Sequence, residues 1–338
     1  MSSIGIGIVG TGSIVNNYIK CISELENAHL VALFTKSSDR VEAVKKQFGV
    51  AAFSNMDEFL SQDMQLVCIC NESGRHGEAI EAAAFAGKHV LSEKPLEVTT
   101  QKIDQAIEIC KKQGVQLGCV LQNRCSADYR LLEKAVNEGR LGKILMGNAH
   151  INWYRSHEYY AGSDWRGTLE YDGGAAFMNQ GIHTIDLLTN LLGDAKSVYG
   201  KVKTSVHPIE GEDVGSAIVE FENGAIGNIT AGTALTPGYP ERLEIYGEKG
   251  SVLMEAGKIV QWNVPGTDSP TIAQSGDASG AADPTAIGHQ NHKEVLANML
   301  QVILEGGEPM VNGTEARKAV AVINAIYDSS RKGELVHL

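Results

Sequence analysis

No window of the chain approaches the roughly 20 uninterrupted apolar residues of a membrane-spanning helix. The opening MSSIGIGIVG also lacks the basic segment with which a signal peptide begins. Basic residues are few, with 29 Lys and Arg against 41 Asp and Glu and a net charge of −12. Because an acidic chain repels phosphate backbones, these features argue against a nucleic-acid or membrane partner. We expect a cytoplasmic protein that binds a small molecule.

The six cysteines form no CxxC pair, and no His or Cys cluster has the spacing of zinc ligands. They are Cys21, Cys68, Cys70, Cys110, Cys119 and Cys125. Their helix-like and strand-like contexts predict small core residues rather than a disulfide framework, which fits a reducing cytoplasm. We expect no metal.

At 338 residues the chain is long enough for two domains. In the first 120 residues short apolar runs alternate with amphipathic stretches. The runs are 4–9, 30–34, 51–53, 66–70, 89–91 and 116–121, and the helix-like stretches include 40–48, 77–86 and 100–113. Strict alternation predicts an α/β domain with a doubly wound parallel sheet over residues 1–122.

The second half has a different pattern. Strand-like runs joined by turns fill residues 142–262, and Glu222-Asn223-Gly224 is a strong hairpin signal. The runs are 144–154, 196–206, 215–221, 226–233, 242–246 and 251–254. Residues 264–284 are predicted to form a loop, and 292–304 and 315–331 to form helices. We therefore expect an α+β domain over residues 123–338 with an open, mostly antiparallel sheet.

A glycine-rich turn follows the first strand. Gly10 permits the tight turn, Gly12 allows close approach of a pyrophosphate, and Val15 replaces the third small residue of the pattern. This strand-turn-helix context predicts a Rossmann dinucleotide site rather than a plain turn. Its contacts are predicted at Gly10, Thr11, Gly12, Ser13 and Ile14.

The end of the second strand bears on the cofactor. Thr35 stands where NAD-specific sites usually place an acid that holds the ribose 2′-hydroxyl. Lys36, Ser37 and Arg40 can donate to a 2′-phosphate. The segment therefore favours NADP(H) over NAD(H), the alternative being a solvated helix start.

Lys94 follows the fifth strand, at the sheet edge where open α/β sheets bind ligands. Pro95 restricts its backbone and ends the strand. Beside a cationic nicotinamide the pKa of this lysine would fall, so that it could polarise or deprotonate a hydroxyl. Taken alone, a Lys-Pro pair more often marks a surface turn.

Several further sequence motifs, taken together with Gly10-x-Gly12, form one recognisable pattern along the chain. They are His76, AGKHVLSEKP at 86–95, DWRGT at 164–168, DGG at 172–174, NQGIHTID at 179–186 and GEKG at 247–250. The pattern resembles that of the Gfo/Idh/MocA oxidoreductases, the relatives of glucose-fructose oxidoreductase and inositol dehydrogenase. The resemblance covers nearly the whole chain and implies a nicotinamide-dependent enzyme that forms homodimers or homotetramers.

The resemblance also assigns a role to His183. Asn179, His183, Asp186 and Asn190 share one face of a predicted helix, which by itself is typical of a structural polar face. In the family, the histidine that matches His183 is the general acid/base that faces the nicotinamide and the EKP lysine. Inositol dehydrogenase relatives carry an aspartate where this chain has Asn179, and an amide cannot relay a proton, so the departure shifts weight onto Lys94.

The segment 153–160, with Trp165-Arg166 and Asn179-Gln180, looks most like the branch that oxidises carbon 3 of nucleotide-linked N-acetylated sugars. The resemblance places Trp165 and Arg166 beside the nicotinamide, whereas Trp153 and Tyr159 fit ordinary packing. Further cofactor contacts are predicted at Cys70, Asn71, His76, Glu93, Lys94 and Gln122. Substrate contacts are predicted at Lys94, Asn123, Arg124, Tyr154, Tyr160, Arg166, Asn179, His183 and His292.

Together these patterns predict hydride transfer between NAD(P) and a secondary hydroxyl of a sugar, sugar nucleotide or cyclitol. Lys94 and His183 are the predicted catalytic pair. Three alternatives stay open: a glycosidase that acts by transient oxidation and elimination, a non-enzymatic NAD(P)-sensing regulator, and a reductase that runs the reaction backward.

Overall fold

The computed structural model describes residues 3–267, 270 and 288–338. The chain forms two compact units, Met1–Gln122 with Gly288–Arg317, and Asn123–Ile287 with Lys318–Leu338. The structure therefore differs from the prediction of a second domain over residues 123–338, because the segment Gly288–Arg317 belongs to the first unit. The expected loop at 264–284 lies largely outside the described residues.

The first unit contains one six-stranded parallel sheet in the order β3-β2-β1-β4-β5-β6. Its strands are β1 (Ile4–Val9), β2 (Ala28–Phe34), β3 (Ala51–Phe53), β4 (Leu66–Ile69), β5 (His89–Ser92) and β6 (Leu117–Cys119). Its first helices are α1 (Val15–Ser23), α2 (Val41–Phe48), α3 (Met56–Leu60), α4 (His76–Phe85) and α5 (Thr100–Gln113). This is the predicted doubly wound sheet, in the strand order of dinucleotide-binding folds.

The burial of the strands agrees with this arrangement. All residues of β1 and β4 are buried, as expected for central strands covered on both faces. The carboxyl ends of parallel strands share one sheet edge, so the turns that begin at Gly10, Thr35, Cys70 and Glu93 follow strands ending on that edge.

The second unit contains an eight-stranded sheet in the order β13-β12-β11-β7-β10-β9-β8-β14. All its pairings are antiparallel except β7 with β10. The strands are β7 (Ile144–Asn152), β8 (Ala195–Lys203), β9 (Val214–Phe221), β10 (Ile226–Gly232), β11 (Arg242–Gly247), β12 (Ser251–Glu255), β13 (Lys258–Asn263) and β14 (Val336–His337). The helices of this unit are α6 (Ala127–Asn137), α7 (His157–Ala161) and α8 (Ile182–Leu192). Helix α9 (Gln290–Glu305) belongs to the first unit, and α10 (Gly313–Lys332) begins in the first unit and ends in the second.

The two faces of this sheet differ. Helix α8 packs on one face, where a Cβ at Gly147 would lie 2.6 Å from Cδ1 of Leu188, so glycine permits the close approach. The opposite face carries large apolar side chains that are 37–55 % exposed. We call this set the outer apolar face: Met146, Tyr199, Ile218, Ile226 and Tyr246.

The predicted hairpin at Asn223-Gly224 joins β9 to β10, with Gly224 at φ +83°. All six cysteines are buried free thiols, as predicted for core residues. Over the described part of the chain, no helix has both the length and the apolar character needed to cross a membrane.

Candidate active site

The turn after β1 has an open backbone. Gly10 has φ +107°, and a Cβ there would lie 2.7 Å from the carbonyl oxygen of Cys70, so a side chain would be both strained and crowded. A Cβ on Gly12 would meet no described heavy atom within 4 Å. The N-cap of α1, Ile14, makes no side-chain capping bond. The N–H groups of Val15, Asn16 and Asn17 donate to the carbonyl oxygens of Gly12, Ser13 and Ile14. The open turn before α1 therefore has the character of an anion site.

The turn after β2 is basic. Thr35 is buried and its N–H donates to the carbonyl of Phe53, while Lys36, Ser37 and Arg40 are exposed. The predicted donors to a 2′-phosphate are thus accessible at the end of this strand.

Two buried acceptors lie after other strands of the same sheet. Oδ1 of Asn71, two residues beyond β4, and Oε1 of Gln122, beyond β6, have no hydrogen-bond partner among the described residues. Buried acceptors of this kind are normally satisfied, so they point to a ligand that donates. With the open Gly12 turn, these residues fit an NAD(P) molecule, which carries both phosphates and an amide donor.

The turn at Lys94 is held by a histidine. The Lys94–Pro95 bond is cis, and Nδ1 of buried His76 lies 2.7 Å from the carbonyl oxygen of Pro95. Nε2 of His76 lies 3.2 Å from the carbonyl oxygen of Asn71. Burial lowers the pKa of His76. A neutral imidazole donates from one nitrogen only, and the shorter contact, from Nδ1 to Pro95, ties His76 to the lysine turn. Its contact with a cofactor stays a prediction.

Glu93 belongs to a buried cluster in the first unit. Its Oε1 accepts a hydrogen bond from the Tyr18 hydroxyl at 3.0 Å and lies 3.7 Å from Nε2 of His292. Nδ1 of His292 has no hydrogen-bond partner among the described residues, and burial lowers the pKa of this histidine. His292 is thus buried beside Glu93, and its predicted contact with the substrate stays a prediction. No motif marks Tyr18, which the sequence analysis missed.

In the second unit, the segment that carries His183 begins with a π-helical turn, Ala176–Gly181, followed directly by α8. Within residues 172–189, all of them described, only Asn179 and His183 are not fully buried. A polar pair that stays accessible in a buried segment is what a binding or catalytic role requires.

The other members of the predicted polar face have structural partners. Asp186 accepts two hydrogen bonds from the guanidinium of Arg124, at 2.8 and 2.6 Å, and both side chains are buried. Asn190 donates to the Tyr129 hydroxyl at 2.6 Å. The predicted substrate contact of Arg124 thus lies in a buried ion pair. Asn123 is half-buried in the adjacent turn.

The predicted aromatic segment forms a stack. The guanidinium carbons of Arg166 and Arg155 lie 4.5 Å and 5.6 Å from the ring centre of Tyr159. Arg155 is buried and donates to Gln180 at 2.8 Å. Trp165 is half-buried beside Arg166. The stack places two cations around one ring, and of the two Arg166 is the partly exposed one.

The two predicted tyrosines differ. Tyr154 is 37 % exposed, whereas Tyr160 is buried and its hydroxyl bonds to Oγ1 of Thr233 at 2.8 Å. Trp153 is buried, in keeping with the packing role expected for it. Substrate contact at these tyrosines stays a prediction.

The chain is similar in sequence to two family models and to several known enzymes. Residues 4–120 match the model of the oxidoreductase family with an NAD-binding Rossmann fold, and residues 129–253 match the GFO/IDH/MocA C-terminal domain. The myo-inositol 2-dehydrogenase of Thermotoga maritima is 26 % identical over 98 % of both chains. The NADP(+)-dependent scyllo-inositol 2-dehydrogenase IolW of Bacillus subtilis is 24 % identical over 100 % of this chain and 97 % of its own.

Among solved structures, the WlbA dehydrogenase of Bordetella pertussis, in complex with NADH and UDP-GlcNAcA, is 32 % identical with a TM-score of 0.89, covering 99 % of each chain. These relatives are dehydrogenases of sugars and cyclitols. The chain belongs to the Gfo/Idh/MocA family of NAD(P)-dependent oxidoreductases.

Proposed function

We propose that this enzyme oxidises a secondary hydroxyl, at carbon 3, of a nucleotide-linked N-acetylated sugar. The observation that carries the proposal is the 32 % identity over 99 % of both chains to WlbA, whose structure holds UDP-GlcNAcA. The partly exposed guanidinium of Arg166, which stacks on Tyr159, supports an anionic substrate. A cyclitol is the second candidate, because the 26 % identical relative from T. maritima is a myo-inositol dehydrogenase.

NAD(P) supplies the hydride acceptor when bound. The protein must then remove the hydroxyl proton and stabilise the charge that develops on the oxygen. We assign the proton to His183, which stays accessible in an otherwise buried segment. We assign to Lys94 the stabilisation of the negative charge that develops on the substrate oxygen. His76 contacts the turn that carries Lys94, and Tyr18 donates a hydrogen bond to the neighbouring Glu93. As the proton leaves and the C–H bond gives up its hydride, the alcohol becomes a ketone.

We further infer that the enzyme prefers NADP(H). The exposed side chains of Lys36, Ser37 and Arg40 support this, as does the absence of an acid at Thr35. Arg40→Ala should weaken NADPH binding about tenfold, the equivalent of one charge-assisted hydrogen bond, and leave NADH binding unchanged. Lys46→Ala, an exposed lysine in α2, is the control. Tighter binding of NADH than of NADPH by the wild type would overturn the inference.

The outer apolar face supports a homo-oligomer. Isolated exposed apolar residues are common, but here they occupy neighbouring strands of one sheet face. Ile218→Lys should lower the mass measured by sedimentation, because it places a charge within the face. Phe85→Lys, at an exposed site on α4 in the first unit, should leave the mass unchanged. Equal masses for the wild type and Ile218→Lys would show that the outer apolar face does not mediate oligomerisation.

The decisive assay follows absorbance at about 340 nm with NAD and NADP against a panel of nucleotide sugars, free sugars and cyclitols. Lys94→Ala should abolish turnover while cofactor still binds in a titration. His183→Ala should lower turnover roughly 10²-fold or more, the scale of lost acid/base catalysis. Lys112→Ala and His150→Ala control for loss of a lysine or histidine outside the proposed pair.

The same assay separates the other possibilities. A glycosidase would release an aglycone without net formation of NADPH, and a sensor would bind cofactor without turning over any substrate. Retained activity in Lys94→Ala would remove that residue from the mechanism. A preference for cyclitols would replace the nucleotide sugar with the second candidate.

A further inference from the structure

One buried carboxylate is bonded to two segments of the second unit that carry predicted site residues. Asp172 is 1 % exposed. Its Oδ2 accepts the N–H of Gly167 at 2.8 Å, in the turn directly after Arg166. Its Oδ1 accepts a hydrogen bond from Nδ2 of Asn179 at 2.6 Å, in the π-helical turn before His183.

This bond decides which way the Asn179 amide points. An ionised carboxylate only accepts hydrogen bonds, so the amide nitrogen must face Asp172 and the amide oxygen must point away from it. Without that partner, the two ends of an asparagine side chain are almost equal in shape. With it, Asn179 offers an acceptor, not a donor, on its other side.

Asn179 is also the accessible member of the pair. It is half-buried, like His183, in a segment whose other residues between 172 and 189 are buried. A substrate that approaches His183 with a hydroxyl brings a donor, which a fixed acceptor oxygen recognises and a fixed N–H would reject.

We propose that Asp172 is a positioning residue that holds the Asn179 carbonyl oxygen as an acceptor for a hydroxyl of the substrate. The pair thereby places an acceptor where inositol dehydrogenase relatives carry an aspartate. The carboxyl group itself lies one hydrogen bond away, on Asp172. This inference rests on the proposed role of His183 in hydroxyl oxidation.

Asp172→Asn tests the orientation directly. Asn at 172 must use its oxygen for the Gly167 N–H, so its amide nitrogen faces Asn179, which must then rotate and present a donor to the substrate. We expect kcat/KM to fall about 10- to 100-fold, the range for one lost hydrogen bond plus an unsatisfied group. Cofactor affinity and unfolding temperature should change little. Asp164→Asn, an exposed acid in the preceding loop, is the matched control.

The double variant Asp172→Asn/Asn179→Asp reverses the pair. Its carboxylate at 179 accepts from the amide at 172 and again offers an acceptor oxygen, so activity should recover at least tenfold over Asp172→Asn. A wild-type kcat/KM in Asp172→Asn, or a folded double variant without recovery, would overturn the proposal. A purely structural role predicts parallel losses of stability and activity, and that result would also overturn it.

A second measurement needs no substrate. The side-chain amide resonance of Asn179, assigned by its loss in Asn179→Asp, should shift on Asp172→Asn and not on Asp164→Asn. If the wild type oxidises none of the panel, the proposed function fails, and this resonance alone judges the inference. An unmoved resonance would refute it.

Discussion

Glu212 anchors the π-helical turn that leads to His183. It is 5 % exposed, and its Oε1 accepts the N–H of Phe177 at 2.7 Å and the hydroxyl of Tyr327 at 2.9 Å. Its Oε2 lies 3.2 Å from the N–H of Ala175. Glu212→Ala leaves these three buried donors without their acceptor, so it should strongly destabilise the second unit.

The magnitude follows from the hydrogen bonds. A buried donor left unsatisfied costs about 1–3 kcal/mol. At the lower end, three donors give about 3 kcal/mol for Glu212→Ala. Glu212→Gln keeps Oε1, which serves Phe177 and Tyr327 and also lies 3.3 Å from the nitrogen of Ala175. It loses only Oε2, which should cost about 1 kcal/mol at most. Tyr327→Phe removes one bond and should cost about the same.

The dependence on pH gives a sharper test. Burial raises the pKa of Glu212 above its ordinary value of 4.5. As pH rises through 4.5, the carboxyl of the unfolded chain loses its proton while that of the folded chain keeps it, so the unfolded state binds fewer protons and stability falls. Gln does not titrate, so the stability advantage of the wild type over Glu212→Gln should shrink as pH rises.

Urea unfolding followed by circular dichroism between pH 4 and 7 measures this difference, and contributions from the other carboxyls cancel between the two proteins. A difference that stays constant or grows with pH would refute the reasoning about the burial of Glu212. A cost below about 1 kcal/mol for Glu212→Ala would refute its role as an anchor.

Three further predictions concern other parts of the molecule. Gly10→Ala should abolish cofactor binding in a titration and lower stability more than Gly224→Ala, because both glycines have positive φ but only Gly10 has a carbonyl 2.7 Å from the added Cβ; equal effects would contradict the crowding. Asp186→Asn should cost about 3–5 kcal/mol of unfolding free energy by leaving the Arg124 charge buried, and a loss below 1 kcal/mol would contradict a buried ion pair. Thr35→Asp should shift the ratio of dissociation constants toward NADH, and an unchanged ratio would mean that this position does not read the 2′-group.

Local signals decided which elements the sequence could predict. Helix α5 was predicted with its observed bounds, because Thr99 caps its N-terminus and Gly114, at φ +68°, ends it. Strand β13 was missed although Ala256 and Gly257, both at positive φ, form a tight turn before it. Strand β14 has two residues paired with β8, and nothing nearby in the sequence indicates that pairing. The return of Gly288–Arg317 to the first unit likewise depends on packing, since Lys293 pairs with Glu24 at 2.8 Å.

At the candidate active site, too, local sequence signals predicted only part of the structure. Asn179 and His183 were predicted on one face of a regular helix, but a π-helical turn precedes His183. Gly181 permits this turn, because a Cβ there would lie 2.9 Å from the carbonyl oxygen of Ala176. Asp172 stood in one of the motif strings, but its bond to Asn179 was not predicted. That bond and the contacts of Glu212 are tertiary contacts that no periodicity in the sequence indicates.

These two carboxylates explain why Asn stands at 179. The Asp172 carboxyl oxygen already lies 2.6 Å from the Asn179 amide nitrogen, and Glu212 binds the backbone of the same turn. Asn179→Asp alone would place two carboxylates in hydrogen-bond contact, so one must take up a proton or the turn must open. We expect this single variant to be less stable than the wild type at pH 8 and to recover toward pH 5, where one carboxyl is protonated. The double variant with Asp172→Asn should lack this pH dependence. A wild-type unfolding temperature for Asn179→Asp at pH 8 would show that the two side chains do not share a hydrogen bond.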